Sequence, residues 1–183
     1  MNKINFLNYF FLTIAILFAI SYTKLTGVVA LGKQNTHNTA IIHKIAAEML
    51  DSSRLHQTKT FMQHGKISVF AHCVSVAAMS IKIANFLKLN VDKKSLIRGA
   101  LLHDYFLYDW HDNNNKYHRL HGFTHPSTAL KNASQDFELS HKEKDIIVHH
   151  MFPLVPIPPK CREAWIVCLA DKICALDETL FHR

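Results

Sequence analysis

The sequence predicts an all-α domain preceded by an N-terminal hydrophobic helix. Three observations support this: apolar residues recur at helical spacing beyond about position 40, no stretch alternates convincingly like a strand, and only five glycines and five prolines interrupt 183 residues. With 49% hydrophobic residues, the chain is long enough for one well-buried domain and too short for two full ones.

Ile4 to Thr23 carries no charge and contains the run FLNYFFLTIAILFAI between Lys3 and Lys24. An uncharged stretch of this length can span a bilayer as a helix. A secretory signal would begin in the same way, with Ala19-Ile20-Ser21 or Val28-Val29-Ala30 as small-residue cleavage sites. The membrane anchor is the preferred reading, with secretion after signal cleavage as the alternative. Lys3 and the terminal amine nearly balance Lys24 and Lys33, so the charges leave the orientation open. Residues 1–31 are therefore the hydrophobic segment and the start of a linker, 32–39 the polar linker, and 40–183 the domain.

Within the domain, helical periodicity marks Ala40 to Leu50, Leu55 to Gln63, Ile67 to Leu89, Asp92 to Asp104, Pro126 to Ala133, Ser140 to Met151 and Lys160 to Phe181, about six or seven helices in all. Ser140 followed by Glu143 is a capping box, in which each side chain satisfies an orphan amide at the helix start. Pro153, Pro156, Pro158 and Pro159 end that helix and stiffen the loop after it. Asp109 to His121 is polar and aromatic without a period, which makes it a long loop.

The formal charge of +7 comes from Lys and Arg scattered along the chain rather than gathered in a stripe, so nucleic acid is not the expected partner. Cys73, Cys161, Cys168 and Cys174 lie in apolar helical patterns without zinc-knuckle spacing, and read as buried free thiols. Free thiols favour a cytoplasmic domain. Fourteen histidines equal all Asp plus Glu, and histidine is the commonest metal ligand.

Three apolar helices each hold a metal-competent side chain. His103-Asp104 closes SLIRGALLHD, where a carboxylate is costly to bury without a partner such as a cation. His72 lies among Phe70, Val74, Val76, Ala77 and Ile81, and Asp171 among Trp165, Ile166, Cys168, Leu169 and Ile173. Taken singly, His72 reads as a hydrogen-bonded core histidine and Asp171 as an ion-pair partner of Lys172 or Arg162. Their co-occurrence in the order His, His-Asp, Asp points to a shared ion.

The words AHCVSVA around His72, RGALLHD ending at Asp104 and CLADKICALDE around Asp171 resemble the HD superfamily of metal-dependent phosphohydrolases over roughly Gln63 to Glu178. The resemblance implies an HD-domain helical bundle with His72, His103, Asp104 and Asp171 as core metal ligands, and His103 and Asp104 at the catalytic centre. Superfamily members with two metals add histidines between the His-Asp pair and the final Asp. His125 in GFTHPSTAL and His149 or His150 in DIIVHHM stand in similar places. The resemblance thus implies a divalent cofactor (Mn, Fe, Mg, Co or Zn), two ions rather than one, with Asp104 bridging them at about 3.5 to 4 Å.

The implied substrate is a small phosphomonoester or phosphodiester, such as a nucleotide, cleaved by a metal-activated water. His121, Arg119 and Lys172 are the substrate-binding candidates. The subfamily that cleaves cyclic dinucleotides has Gly-Tyr-Pro after its paired histidines, whereas Met151-Phe152-Pro153-Leu154 follows His150 here. That subfamily's lysine three positions beyond the Asp is replaced by Leu107, with Asp109 or His111 the nearest stand-ins. Two other readings share the ligand set: a mixed-valent di-iron oxygenase, and an inert membrane-tethered sensor of a metal or nucleotide.

Overall fold

The computed structural model describes residues 32–112 and 120–181. Residues 1–31, 113–119 and 182–183 lie outside the described residues, and with them the hydrophobic segment and Arg119. The chain divides into two compact units, Met1–His37 and Asn38–Arg183. The elements are α1 (Gly32–Asp51), a 3-10 turn (Arg54–Lys59), β1 (Met62–His64), β2 (Ile67–Ser68), α2 (Val69–Phe86), α3 (Lys93–Leu102), α4 (His121–Asp136), α5 (His141–His149) and α6 (Arg162–Phe181). The fold is all-α, as expected, with one small hairpin that the periodicity did not reveal.

Helix α2 starts where the Ser68 side chain accepts from the amide of Ala71. Its buried residues Val69, His72, Cys73, Val76, Ala77, Ser80, Ile81 and Ala84 fall at helical spacing on one face. Just past its end, Lys88 takes a left-handed φ of 51°, with the Leu89 amide donating back to the Ala84 carbonyl. Hydropathy and length alone would let Val69–Phe86 cross a membrane. Its buried face instead packs against α3 and α6 in the core.

Helix α3 is capped by Asp92 and ends at Leu102, so that His103 and Asp104 leave its C-terminus into the protein interior. Gly99 lets α3 approach α5 closely: a Cβ there would lie 2.4 Å from Cδ1 of Ile146. The capping box at Ser140 and Glu143 forms as expected, and Arg98 donates to the same glutamate.

Several boundaries differ from the periodic reading. The stretch 32–39, polar and aperiodic, is the first part of α1. Leu55 to Gln63 is a 3-10 turn followed by β1 rather than a helix. Helix α4 begins at His121 with Pro126 inside it. Proline cannot donate to the Gly122 carbonyl, but the preceding carbonyl of His121 receives the Nδ1–H of His125 instead. The turn Arg54–Lys59 is fastened to the end of α4: Arg54 donates through Nε and Nη2 to both oxygens of Asp136, which also accepts from the Tyr105 hydroxyl. Cys73, Cys168 and Cys174 are buried free thiols and Cys161 is partly exposed.

Candidate metal centre

Four histidines use one ring nitrogen to anchor themselves and present the other to the same point. His103 donates through Nδ1 to the Ala100 carbonyl at 2.8 Å, and His150 does the same to Ile147 at 2.8 Å. His125 donates to His121 at 2.7 Å, and His72 donates to Glu178 Oε2 at 2.8 Å. With Nδ1 protonated, each neutral imidazole carries its lone pair on Nε2. Three of the anchors are carbonyls within the ring's own helical turn, so local backbone geometry fixes the ring orientation.

The two aspartates complete the cluster. Asp104 Oδ2 lies 3.4 Å from His103 Nε2 and 3.9 Å from His72 Nε2, while its Oδ1 lies 3.2 Å from His125 Nε2 and 3.4 Å from His150 Nε2. Asp171 Oδ1 lies 3.1 Å from His72 Nε2 and 3.6 Å from His103 Nε2. One carboxylate oxygen of Asp104 thus faces each half of a six-residue cluster. His72, His103 and Asp171 form one group with ligand atoms within 4.8 Å of one another, and His103, Asp104 and His150 form a second.

The donor set suits cations. His72 and His103 are fully buried, His150 is 1% exposed and Asp104 2%, and the Nε2 of His103 and the Oδ1 of Asp104 have no hydrogen-bond partner. Among the described residues no Lys or Arg pairs with Asp104 or Asp171. Lys172 donates to the carbonyls of His150 and Cys168, and Arg162 to that of Asn90. A divalent ion would answer both the orphan lone pairs and the buried negative charge.

The charges of the cluster act strongly on one another. Burial opposes charging His72, but hydrogen bonds to Asp171 and Glu178 outweigh it and raise its pKa to about 10. Burial opposes charging His103 too, and Asp104 reverses this, holding it well above the usual histidine range. Burial would raise the carboxyls of Asp104 and Asp171, yet the neighbouring His103 holds both well below the usual range. His150 goes the other way: burial lowers it to about 4, although the Asp104 carboxylate beside it acts to raise it.

The structure resolves the adjacent histidines. His150 Nε2 enters the cluster, 2.8 Å from that of His125. His149 turns outward, bonding Asp145 Oδ1 at 2.7 Å and lining a surface groove with Lys142, Lys144 and Lys160. Successive helix positions diverge by about 100°, so the two rings face different ways, and only that of His150 joins the cluster. The Lys172 ammonium, a substrate-binding candidate in the sequence, bonds the carbonyls of His150 and Cys168 and so fastens the end of α5 to α6. Asp109 and His111, the stand-ins for a lysine, bond each other in an exposed turn.

His121 sits beside the cluster, stacked on His125 at 4.5 Å and on Trp110 at 4.8 Å. The Tyr108 hydroxyl bonds its Nδ1 at 2.9 Å. Burial, then the nearby His125, lowers its pKa to about 3, so it is neutral.

Two residues escaped the sequence reading. Glu178, 4% exposed, orients His72 from two turns beyond Asp171 on α6; its i+7 spacing from Asp171 was the available signal. Gln63 donates to Asp104 Oδ2 at 2.7 Å from a strand too short to give a period.

The family model described as HD domain matches residues 69–176, which run from the first residue of α2 into α6 and include all six cluster residues. No curated protein and no solved structure matches the chain.

Proposed function

The chain belongs to the HD domain family, and from that premise we propose that it is a metal-dependent phosphohydrolase with a dinuclear site, acting on a small phosphate ester. The supporting observation is the division of labour at Asp104, whose two oxygens face separate sets of imidazole Nε2 atoms. His72, His103 and Asp171 would hold one divalent ion, His125 and His150 the other, with Asp104 shared. Such ions supply hydroxide at neutral pH from bound water and offset charge developing on phosphate oxygens.

The chain's own residues do the rest. Glu178 and the carbonyls of Ala100, His121 and Ile147 keep every Nδ1 protonated, so each Nε2 remains a lone-pair donor. His121, held by Tyr108 and Trp110, offers the remaining edge of its ring to the substrate, with Arg119 as a further phosphate contact. No side-chain nucleophile is required.

Residues 4–23 would tether the domain to a membrane, with the domain on the cytoplasmic side. Membrane fractionation of full-length and 32–183 chains tests this, and equal partitioning of the two would defeat it. The chemistry is tested by assaying generic phosphomonoesters, phosphodiesters and nucleotides with Mn²⁺, Fe²⁺ or Co²⁺. Metal-stimulated phosphate release lost in Asp104→Ala is expected. Oxygen uptake by the Fe²⁺-loaded protein without ester cleavage would instead identify an oxygenase, and a metal-loaded but inert protein a sensor.

A further inference from the structure

Gln63 is not among the six cluster residues, yet its side chain reaches the middle of them. It is 8% exposed, on a strand of three residues. Met62 pairs with Ser68 and His64 with Ile67, and the register breaks between them, so Gln63 is the extra residue of a bulge. Bulges re-aim side chains and are over-represented beside active sites. Here Met62 lies 40% exposed while Gln63 is turned inward.

The amide meets Asp104 with its Nε2, at 2.7 Å from Oδ2. Chemistry fixes which end is which: an ionised carboxylate only accepts, so the NH₂ end must face it. The other end, Oε1, is buried without a partner, and so is Oδ1 of Asp104. A hydrogen-bonded pair of side chains with an orphan acceptor on each is a poor core contact, since an apolar residue in place of Gln63 would leave no orphan amide oxygen. The same pair is well suited to a site that admits cations and water.

We infer that Gln63 is a positioning residue of the metal centre: its amide holds the Asp104 carboxylate in the rotation that gives one oxygen to each half of the donor cluster. Oε1 is left as an acceptor for a water or hydroxyl entering with the ions. The inference rests on the dinuclear reading above.

The test is titration of the full-length chain with Co²⁺, following affinity by calorimetry and coordination by visible absorption, in wild type, Gln63→Leu and Gln63→Glu. Far-UV circular dichroism establishes which variants are folded. Leucine removes both ends of the amide; glutamate keeps the shape and the acceptor but has no N–H for Asp104. Gln63→Leu is expected to bind about 10- to 100-fold more weakly, with altered absorption bands. Gln63→Glu is expected to alter the bands because Asp104 turns from a second carboxylate, and it decides the matter where the leucine variant fails to fold. Wild-type affinity and wild-type bands in a folded variant would overturn the inference. A wild-type chain that takes up no Co²⁺ would instead remove the metal centre on which it rests.

Discussion

Replacing Gly99 by alanine is expected to damage the protein at the contact that sets the spacing of two helices carrying the His/Asp cluster. The new Cβ would lie 2.4 Å from Ile146 Cδ1, 3.0 Å from Cγ2 and 3.1 Å from Cβ. Ile146 is fully buried on α5 and β-branched, so its preferred χ1 fixes Cβ and Cγ2, and only Cδ1 can turn, about χ2, within a packed core. Overpacking of this kind costs about 1–3 kcal/mol. Alanine recovers roughly 0.8–1 kcal/mol of that through its helix propensity. Cδ1 can relieve its contact by turning, but those to Cγ2 and Cβ remain, which leaves a net loss of about 1 kcal/mol. Because α3 leads to His103 and Asp104 and α5 ends at His150, relief by helix separation would also spread the donors. Urea denaturation of the metal-free chain measures the first effect and Co²⁺ affinity the second. A variant as stable as wild type, with unchanged affinity, would refute the argument that this glycine sets the helix approach.

Other expectations separate residues that look alike in sequence. His150→Ala should reduce bound metal from two ions per chain toward one while His149→Ala leaves it unchanged; the reverse result would overturn the assignment of the paired histidines. Glu178→Ala should weaken metal binding by about 10- to 100-fold, since it frees the ring of a ligand without removing it; undiminished binding would show that His72 needs no orientation. Burial raises the Asp136 carboxyl, but the hydrogen bonds from Arg54 and Tyr105 outweigh it and lower the pKa. That stabilisation is fully present above the unfolded carboxylate range and is lost as pH falls through the lower folded value. Asp136→Asn should therefore cost about 1 kcal/mol at pH 7, a figure kept small because Arg54 is 40% exposed. The gap from wild type should close below about pH 4, near the unfolded aspartate value; parallel stability curves down to pH 2 would contradict it.

Several cluster residues were legible because they break the rule of the segments they sit in. His72, Asp104 and Asp171 are polar groups inside apolar helical words, where only a partner or an ion makes burial tolerable. The capping box was legible because its two residues are three apart and act locally. The hairpin was not, since strands of three and two residues are shorter than any period can register. The start of α4 was missed because a proline normally opens a helix, and here a histidine side chain takes a carbonyl early in the same helix. Which of His149 and His150 faces inward depends on the rotation of α5 against α4 and α3, which is tertiary information. Gln63 depends on a bulge, whose inward turn has no counterpart in composition.

The most direct test of the central claim is metal content per chain, by elemental analysis of the full-length protein purified without air and loaded with Mn²⁺ or Fe²⁺. Two ions per chain are expected in wild type, and none held stably in Asp104→Ala, since the carboxylate facing both halves is gone. Two ions retained by folded Asp104→Ala, or a folded wild type holding none, would contradict the account.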